Sequence, residues 1–324
     1  MEEKSCKVAA IDLGTQTFRL LAAEIDSSGP RIIASLRKNV RLGQGLLKSG
    51  KFCKSALERA QKALTDFANY LFKNKIDKIN AIGTEAFRIA NNREVLLDFS
   101  KALGIKIVVI SPQLEADLAV KGAFLTVPNV KSPWLMLDSG GGSTEIVKCN
   151  KDKSDFWLSM PIGAVSIAEE INKKKIKKAD DILYFVKSKL LQELGEKKDK
   201  FKGIKEVVAT GGTATTISAV IKEVSPYDPK KIRGHRVNID QLILLFKKLF
   251  EIPLSERKKI KGLEPERADI FPSGIAILIE IIRYLGLKEI IISDGGILLG
   301  LLVTTLEKEC NIHVKPSSAR SLYV

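Results

Sequence analysis

Two glycine turns, 126 residues apart from Asp12 to Asp138, constrain this chain more than any other feature. In the first, the apolar run Val8-Ala9-Ala10-Ile11 leads into Asp12-Leu13-Gly14-Thr15-Gln16-Thr17, and a second apolar run extends from Phe18 to Ile25. In the second, Trp134-Leu135-Met136-Leu137 leads into Asp138-Ser139-Gly140-Gly141-Gly142-Ser143-Thr144-Glu145, and Ile146 to Cys149 follows. Each reads as strand, polar turn and return strand. Each places an aspartate at the strand end, then glycine, then a hydroxyl residue. A repeat at this spacing is a duplication at the scale of a domain. The 324 residues are about two domains' worth of chain.

The intervening segments fit that reading. Ser55 to Phe72 carries Ala56, Ala60, Ala63, Leu64, Phe67 and Leu71 at helical spacing. A strand is expected over 78–82, a helix from Thr84 and a strand over 106–110. Ser111-Pro112 then opens a helix, with serine at the N-cap and proline in the first turn. Strands alternating with helices indicate an α/β sheet. Two more glycine turns follow strands: Gly211-Gly212-Thr213 after Val207-Val208-Ala209, and Asp294-Gly295-Gly296 after Ile290, each opening a helix. The expected architecture is therefore α/β, with two similar lobes around a cleft. The first would comprise 1–125 plus 300–324, the last helix packing back onto it, and the second 126–299.

Glycine lets backbone N–H groups approach phosphate oxygens without a side chain in the way. Thr15, Ser143 and Thr213 add hydroxyls at matching places. Any one glycine turn is mostly turn geometry, but four after strands, two of them with a strand-terminal aspartate, point to phosphate binding. Asp12, Asp138 and Glu145 are hard oxygen donors suited to magnesium beside phosphates. Any one of them in isolation reads more readily as a turn-capping carboxylate.

Composition removes several alternatives. His235 and His313 are the only histidines, which excludes a histidine-rich zinc site and argues against a Ser-His-Asp nucleophile. Cys6, Cys53, Cys149 and Cys310 form no CxxC pair and are expected to be small buried apolar groups, neither disulfide-bonded nor metal-binding. The formal charge of +15, from 53 basic and 38 acidic residues, draws polyanions generally. Its lysine runs, 173–178 and 197–200, lack interleaved aromatics, so they read as solvated surface and give no case for sequence-specific nucleic acid. The start has no secretory signal, and the most apolar stretch, around Ile275 to Ile282, is broken by Glu280 and Arg283. A soluble cytoplasmic protein without membrane contact is expected.

Asp12-Leu-Gly-Thr-Gln-Thr-Phe-Arg19 and Leu137-Asp138-Ser-Gly-Gly-Gly-Ser-Thr-Glu145 resemble the two phosphate motifs of the exopolyphosphatase / guanosine pentaphosphate phosphohydrolase (Ppx/GppA) family. Gly83-Thr84-Glu-Ala-Phe-Arg88-Ile-Ala-Asn91, Ser159-Met-Pro161-Ile-Gly163, Gly262-Leu-Glu-Pro-Glu-Arg-Ala-Asp269 and Ser293-Asp-Gly-Gly296 are similar to further family segments, in order along nearly the whole chain. The resemblance implies a fold of two ribonuclease-H-like lobes, as in actin, sugar kinases and heat-shock ATPases. It implies release of a terminal phosphate from inorganic polyphosphate, or conversion of pppGpp to ppGpp. Glu115 would activate water, and Arg88 would act with it in catalysis beside Asp138 and Glu145. Asp12, Gly14, Thr15, Arg19, Thr84, Arg93, Gly140, Gly141, Gly142, Ser143, Gly211, Gly212 and Thr213 would bind substrate phosphates. Asp138, Glu145 and Asp12 would hold magnesium, with or without a monovalent cation. The resemblance also implies a homodimer, and the chain matches the family's short, two-domain form.

Departures from the family pattern are Asp117, where an arginine is common, and Leu298-Leu299, where many members carry Arg-Glu. His235 matches a family position and reads as a structural histidine. The phosphate loops alone are also compatible with an actin-like kinase or ATPase. The departures leave room for a weakly catalytic sensor of ppGpp-type nucleotides or polyanions.

Overall fold

The computed structural model describes residues 6–27 and 29–314. The chain divides into two compact units, one of 1–125 with 296–324 and one of 126–295. The first begins with β1 (Cys6–Leu13), β2 (Thr17–Asp26) and β3 (Gly29–Asn39), followed by α1 (Leu46–Ser49), α2 (Lys54–Lys73) and β4 (Lys78–Gly83). Next come α3 (Glu85–Ile89), α4 (Glu94–Ala102), β5 (Ile107–Val109) and α5 (Pro112–Thr126). The six apolar residues of α2 at helical spacing are all buried against the sheet's core. At the start of α5, the Ser111 hydroxyl accepts from the Leu114 N–H at 3.2 Å, the cap expected of serine there.

The second unit holds β6 (Trp134–Ser139), β7 (Thr144–Asn150), β8 (Lys153–Met160), α6 (Ala164–Lys174), α7 (Ala179–Leu194), β9 (Glu206–Thr210) and α8 (Gly211–Ile221). It continues through α9 (Pro229–Ile232), β10 (Arg236–Asn238), α10 (Ile239–Glu251), α11 (Leu254–Arg257), α12 (Phe271–Leu285) and β11 (Glu289–Ile292). The chain then returns to the first unit as α13 (Ile297–Cys310), which packs on β1, β2 and β4.

The duplication is visible in the sheets. The first is ordered β3-β2-β1-β4-β5 and the second β10-β11-β9-β6-β7-β8. In each, an antiparallel three-strand meander (β1–β3, β6–β8) continues through parallel strands (β4 and β5, β9 and β11). Tight turns can join the antiparallel strands, whereas the parallel ones need helical crossovers. The glycine turns β1–β2 and β6–β7 thus occupy equivalent places.

The apolar stretch of 275–282 is the centre of α12, buried among α6, α7, α8 and α10. Buried Glu280 is answered by Arg283 at 2.5 Å, three residues on. No helix among the described residues is long and apolar enough to cross a membrane. Leu298 and Leu299 are buried in α13, so the departure there serves packing. The lysines of 173–175, 177–178 and 197–200 are exposed.

One expectation fails. Cys6 and Cys310 are joined by a disulfide, with Cα atoms 6.1 Å apart across 304 residues of sequence. The sequence spacing hides this because β1 opens the first unit and α13 closes it, which brings the two ends side by side. Lys78 holds the junction, donating to the Glu309 carbonyl at 2.8 Å. Cys53 and Cys149 lie outside the disulfide, and Cys149 is buried as expected.

Candidate active site

In the first unit, the β1–β2 turn pairs Asp12 with Arg19 across the hairpin. Asp12 is buried, and its Oδ2 accepts from Arg19 Nε at 3.1 Å and Nη2 at 2.5 Å. A buried carboxylate needs such a partner, so Asp12 stands as the holder of Arg19. Gly14 N–H donates to the Thr17 carbonyl at 3.1 Å, and the Thr15 carbonyl accepts from Gly43 N–H at 2.9 Å. The turn is thereby fixed from both sides.

At the end of the parallel strand beside β1, Thr84 N–H donates to the Leu13 carbonyl, and α3 presents Arg88. Arg88 Nη1 donates to Glu115 Oε2 at 2.8 Å and to the Ile110 carbonyl at 3.0 Å. Both side chains are about one-quarter exposed, enough to meet a ligand. Arg93 lies apart from this pair in its contacts: it pairs with Glu94 at 3.4 Å and donates to the Phe87 carbonyl. Asp117 is exposed and accepts from Gln113 at 3.1 Å, one helical turn earlier.

The second unit gathers more of the candidate residues. Asp138 and Glu145 are cross-strand partners on β6 and β7, so their Cβ atoms lie about 5 Å apart. Glu145 Oε1 accepts from Ser143 Oγ at 2.6 Å and Ser159 Oγ at 2.9 Å. Between these strands, Gly140 N–H donates to the Ser143 carbonyl at 2.9 Å. Gly163 lies so close to Gly141 that an added Cβ would overlap its carbonyl. The α6 N–H groups of Ala164 and Val165 donate to the Gly140 and Gly141 carbonyls, both at 2.9 Å. Thr144, wholly buried, donates to the Ile162 carbonyl at 2.6 Å and ties the turn to the same segment.

The start of α8 closes the group. Asp138 lies opposite Thr210 on β9, and its carboxylate fills the space over Gly211. Gly211 has φ +80°, a conformation most side chains resist, and here a Cβ would also strike Asp138. Thr213 Oγ1 donates to the Ser139 carbonyl at 3.0 Å. The first N–H groups of a helix lack internal partners and favour negative charge. The Arg267 guanidinium covers Gly212 and is oriented by Glu264 at 2.9 Å. Sequence reasoning assigned Arg267 and Ser159 no role, although both stand in the segments that carry the resemblance. Their partners are 55 and 14 positions away, from Gly212 and Glu145, so only the fold reveals the contacts.

The neighbouring Ser293-Asp-Gly-Gly296 loop is held by Arg233, which forks onto Asp294 at 2.6 and 2.7 Å. His235 Nδ1 is 2.9 Å from Ser218 Oγ, a structural contact. Burial, helped by Lys222, pushes its pKa down.

Asp138 and Glu145 offer hard oxygens in a turn that also presents backbone N–H groups. No group of three or more His, Cys, Asp or Glu side chains placed to hold a metal ion is found among the described residues. Two carboxylates without a full cage suit magnesium, which completes its shell with waters and substrate phosphates. The donor set fits that ion.

The family model described as the Ppx/GppA phosphatase family matches residues 21–309. Exopolyphosphatase 2 of Mycobacterium tuberculosis is 28% identical over 315 residues, covering 92% of this chain and 98% of the relative. The putative exopolyphosphatase of Haemophilus influenzae is 28% identical over 309 residues, covering 94% and 93%. The crystal structure of the Aquifex aeolicus Ppx/GppA family member is 30% identical, covers 94% of this chain and 99% of its own, and superposes with a TM-score of 0.79. The α/β fold with two similar lobes that the duplicated turns predict is the fold found.

Proposed function

Because the chain belongs to the Ppx/GppA phosphatase family, we propose that it releases terminal orthophosphate from inorganic polyphosphate, with pppGpp as a second substrate yielding ppGpp. Two relatives bear the name exopolyphosphatase, which supports polyphosphate as the first of the two. The observation that carries the reading is the grouping of Asp138, Glu145, the Gly140–Gly142 turn and the α8 N-terminus around one strand end.

The reaction needs charge neutralisation at the phosphoryl oxygens and a positioned water. The N–H groups of Gly141 and Gly142, with those at Gly211 and Gly212, cradle phosphate oxygens. Ser143 and Thr213 border that cradle, and Arg267 and Arg19 supply forked donors to further oxygens. Asp138 and Glu145 would hold magnesium, which would supply neutralisation of the developing negative charge. Ser159 and Ser143 keep Glu145 aimed for that task. Glu115, oriented by Arg88, accepts a proton from water. The water oxygen bonds to the terminal phosphorus, the bridging P–O bond breaks, and the shortened chain leaves with its electron pair.

Incubation with magnesium and either substrate in ¹⁸O-labelled water tests the reading. Labelled orthophosphate should appear with both substrates, faster with polyphosphate, and chelation should stop it. Absence of orthophosphate from both, or transfer to an organic hydroxyl instead of water, would refute it.

A further inference from the structure

The two sulfurs of the Cys6–Cys310 bond sit in unlike surroundings. Cys6 is the first residue of β1, Cys310 the last of α13, and both are half-buried, within reach of a small thiol. Lys78 Nζ lies 3.3 Å from Cys6 Sγ while it donates to the Glu309 carbonyl. A cation beside a sulfur stabilises its thiolate. Cys310 instead closes a 14-residue helix, where the dipole disfavours negative charge. Both effects act in the same direction. When the bond opens, Cys6 is the sulfur that leaves with the electron pair, and Cys310 is the one attacked. A better leaving thiolate speeds thiol–disulfide exchange.

The place of the bond gives its opening a consequence. One turn before Cys310, Glu307 pairs with Lys121 of α5 at 2.5 Å, and Thr304 accepts from the same ammonium at 3.1 Å. Farther along, Gly300 and Gly122 bring the backbones of α13 and α5 together. The α5 helix presents Glu115 in its first turn. The disulfide thus fastens to β1 the helix that braces α5. We infer that Cys6–Cys310 is a thiol–disulfide exchange site, attacked at Cys310 by a dithiol reductant, and that its opening loosens α13 against α5.

In the first step a thiolate of the reductant bonds to Cys310 Sγ. The S–S bond breaks, and its electron pair stays on Cys6 as a thiolate beside Lys78. In the second, the reductant's other thiol gives up its proton and bonds to the reductant's first sulfur. Cys310 then leaves as a thiolate and takes up a proton. The two cysteines gain two electrons, and the dithiol becomes a disulfide. None of this uses the phosphatase reading, so either can fail alone.

Glutathione, a monothiol, allows the first step to be caught. The folded full chain is exposed to it briefly, quenched with acid, alkylated at its free thiols and mapped by peptide mass. Glutathione is expected on Cys310 with Cys6 alkylated, about tenfold over the reverse arrangement. Lys78→Met should open about tenfold more slowly with dithiothreitol and show a weaker preference for Cys310. Lys78→Arg, which keeps a cation there, should behave as wild type, and thermal unfolding should show both variants folded. Full reduction of the wild type should speed amide exchange over 118–122 and 304–310. Glutathione mainly on Cys6, no mixed disulfide on either cysteine, or equal opening rates in Lys78→Met and wild type would overturn the assignment. Unchanged amide exchange would overturn the link from α13 to α5.

Discussion

Glu145 shows how neighbours turn an ordinary carboxylate into a candidate ligand. Two hydroxyls fix one of its oxygens, and Asp138 faces it across the hairpin. Partners that orient a ligating carboxylate typically change metal affinity by about 10–100-fold. Ser159→Ala should therefore raise the magnesium concentration for half-maximal phosphate release by about tenfold, with little change at saturating metal; an unchanged metal titration would remove Ser159 from this role. His235 makes a stability prediction instead. Its folded pKa lies below 6.5, because burial and then Lys222 disfavour its charge. The unfolded chain thus takes up the proton first, so the contribution is complete above pH 6.5 and fades as pH falls through the folded value. The thermal midpoint should drop on acidification below that point, and His235→Gln should flatten that part of the profile. At this scale the sequence was partly legible: Asp138, Glu145 and the glycines announce themselves by local spacing. The Asp12–Arg19 pair does not, because it depends on the hairpin register that joins them.

The elements that present these residues were more legible than the contacts among them. Each strand, glycine turn and return strand is coded within about a dozen residues, so alternation and turn chemistry suffice. The α8 N-terminus was also readable, from Gly211-Gly212-Thr213 after an apolar strand. What lies over it was not, since Arg267 arrives from a distant segment. The crossing of α5 and α13 belongs to the same class. Gly122 and Gly300 let the backbones meet: a Cβ on Gly300 would collide with the Leu118 carbonyl, and one on Gly122 with that of Gly296. Backbone atoms cannot move aside as a side chain can, so overpacking here costs about 1–3 kcal/mol. Gly300→Ala should lower the urea midpoint accordingly, with the slope unchanged. A midpoint equal to wild type would mean that the helices separate freely.

Over the whole molecule, duplication explains why so much of the fold was visible from the sequence. One turn design appears twice on one sheet plan, and the second copy carries the carboxylate pair. The disulfide shows the opposite limit: Cys6 and Cys310 sit 304 residues apart, and only the return of α13 to the first sheet unites them. Cross-links that close long loops typically stabilise by about 2–4 kcal/mol. Denaturant unfolding with and without a dithiol reductant should differ by that order, and Cys310→Ser should be insensitive to the reductant. Identical curves for the wild type would show that the link contributes nothing to stability. The central claim, that Glu115 draws a proton from water attacking a terminal phosphate, is tested most directly by the turnover number of Glu115→Gln on polyphosphate at saturating magnesium. Glutamine keeps the shape and a hydrogen-bond partner for Arg88 but cannot take the proton. A loss of about 10²–10⁴-fold in kcat, with KM nearly unchanged, is the predicted result; a variant that releases orthophosphate as fast as wild type would contradict it.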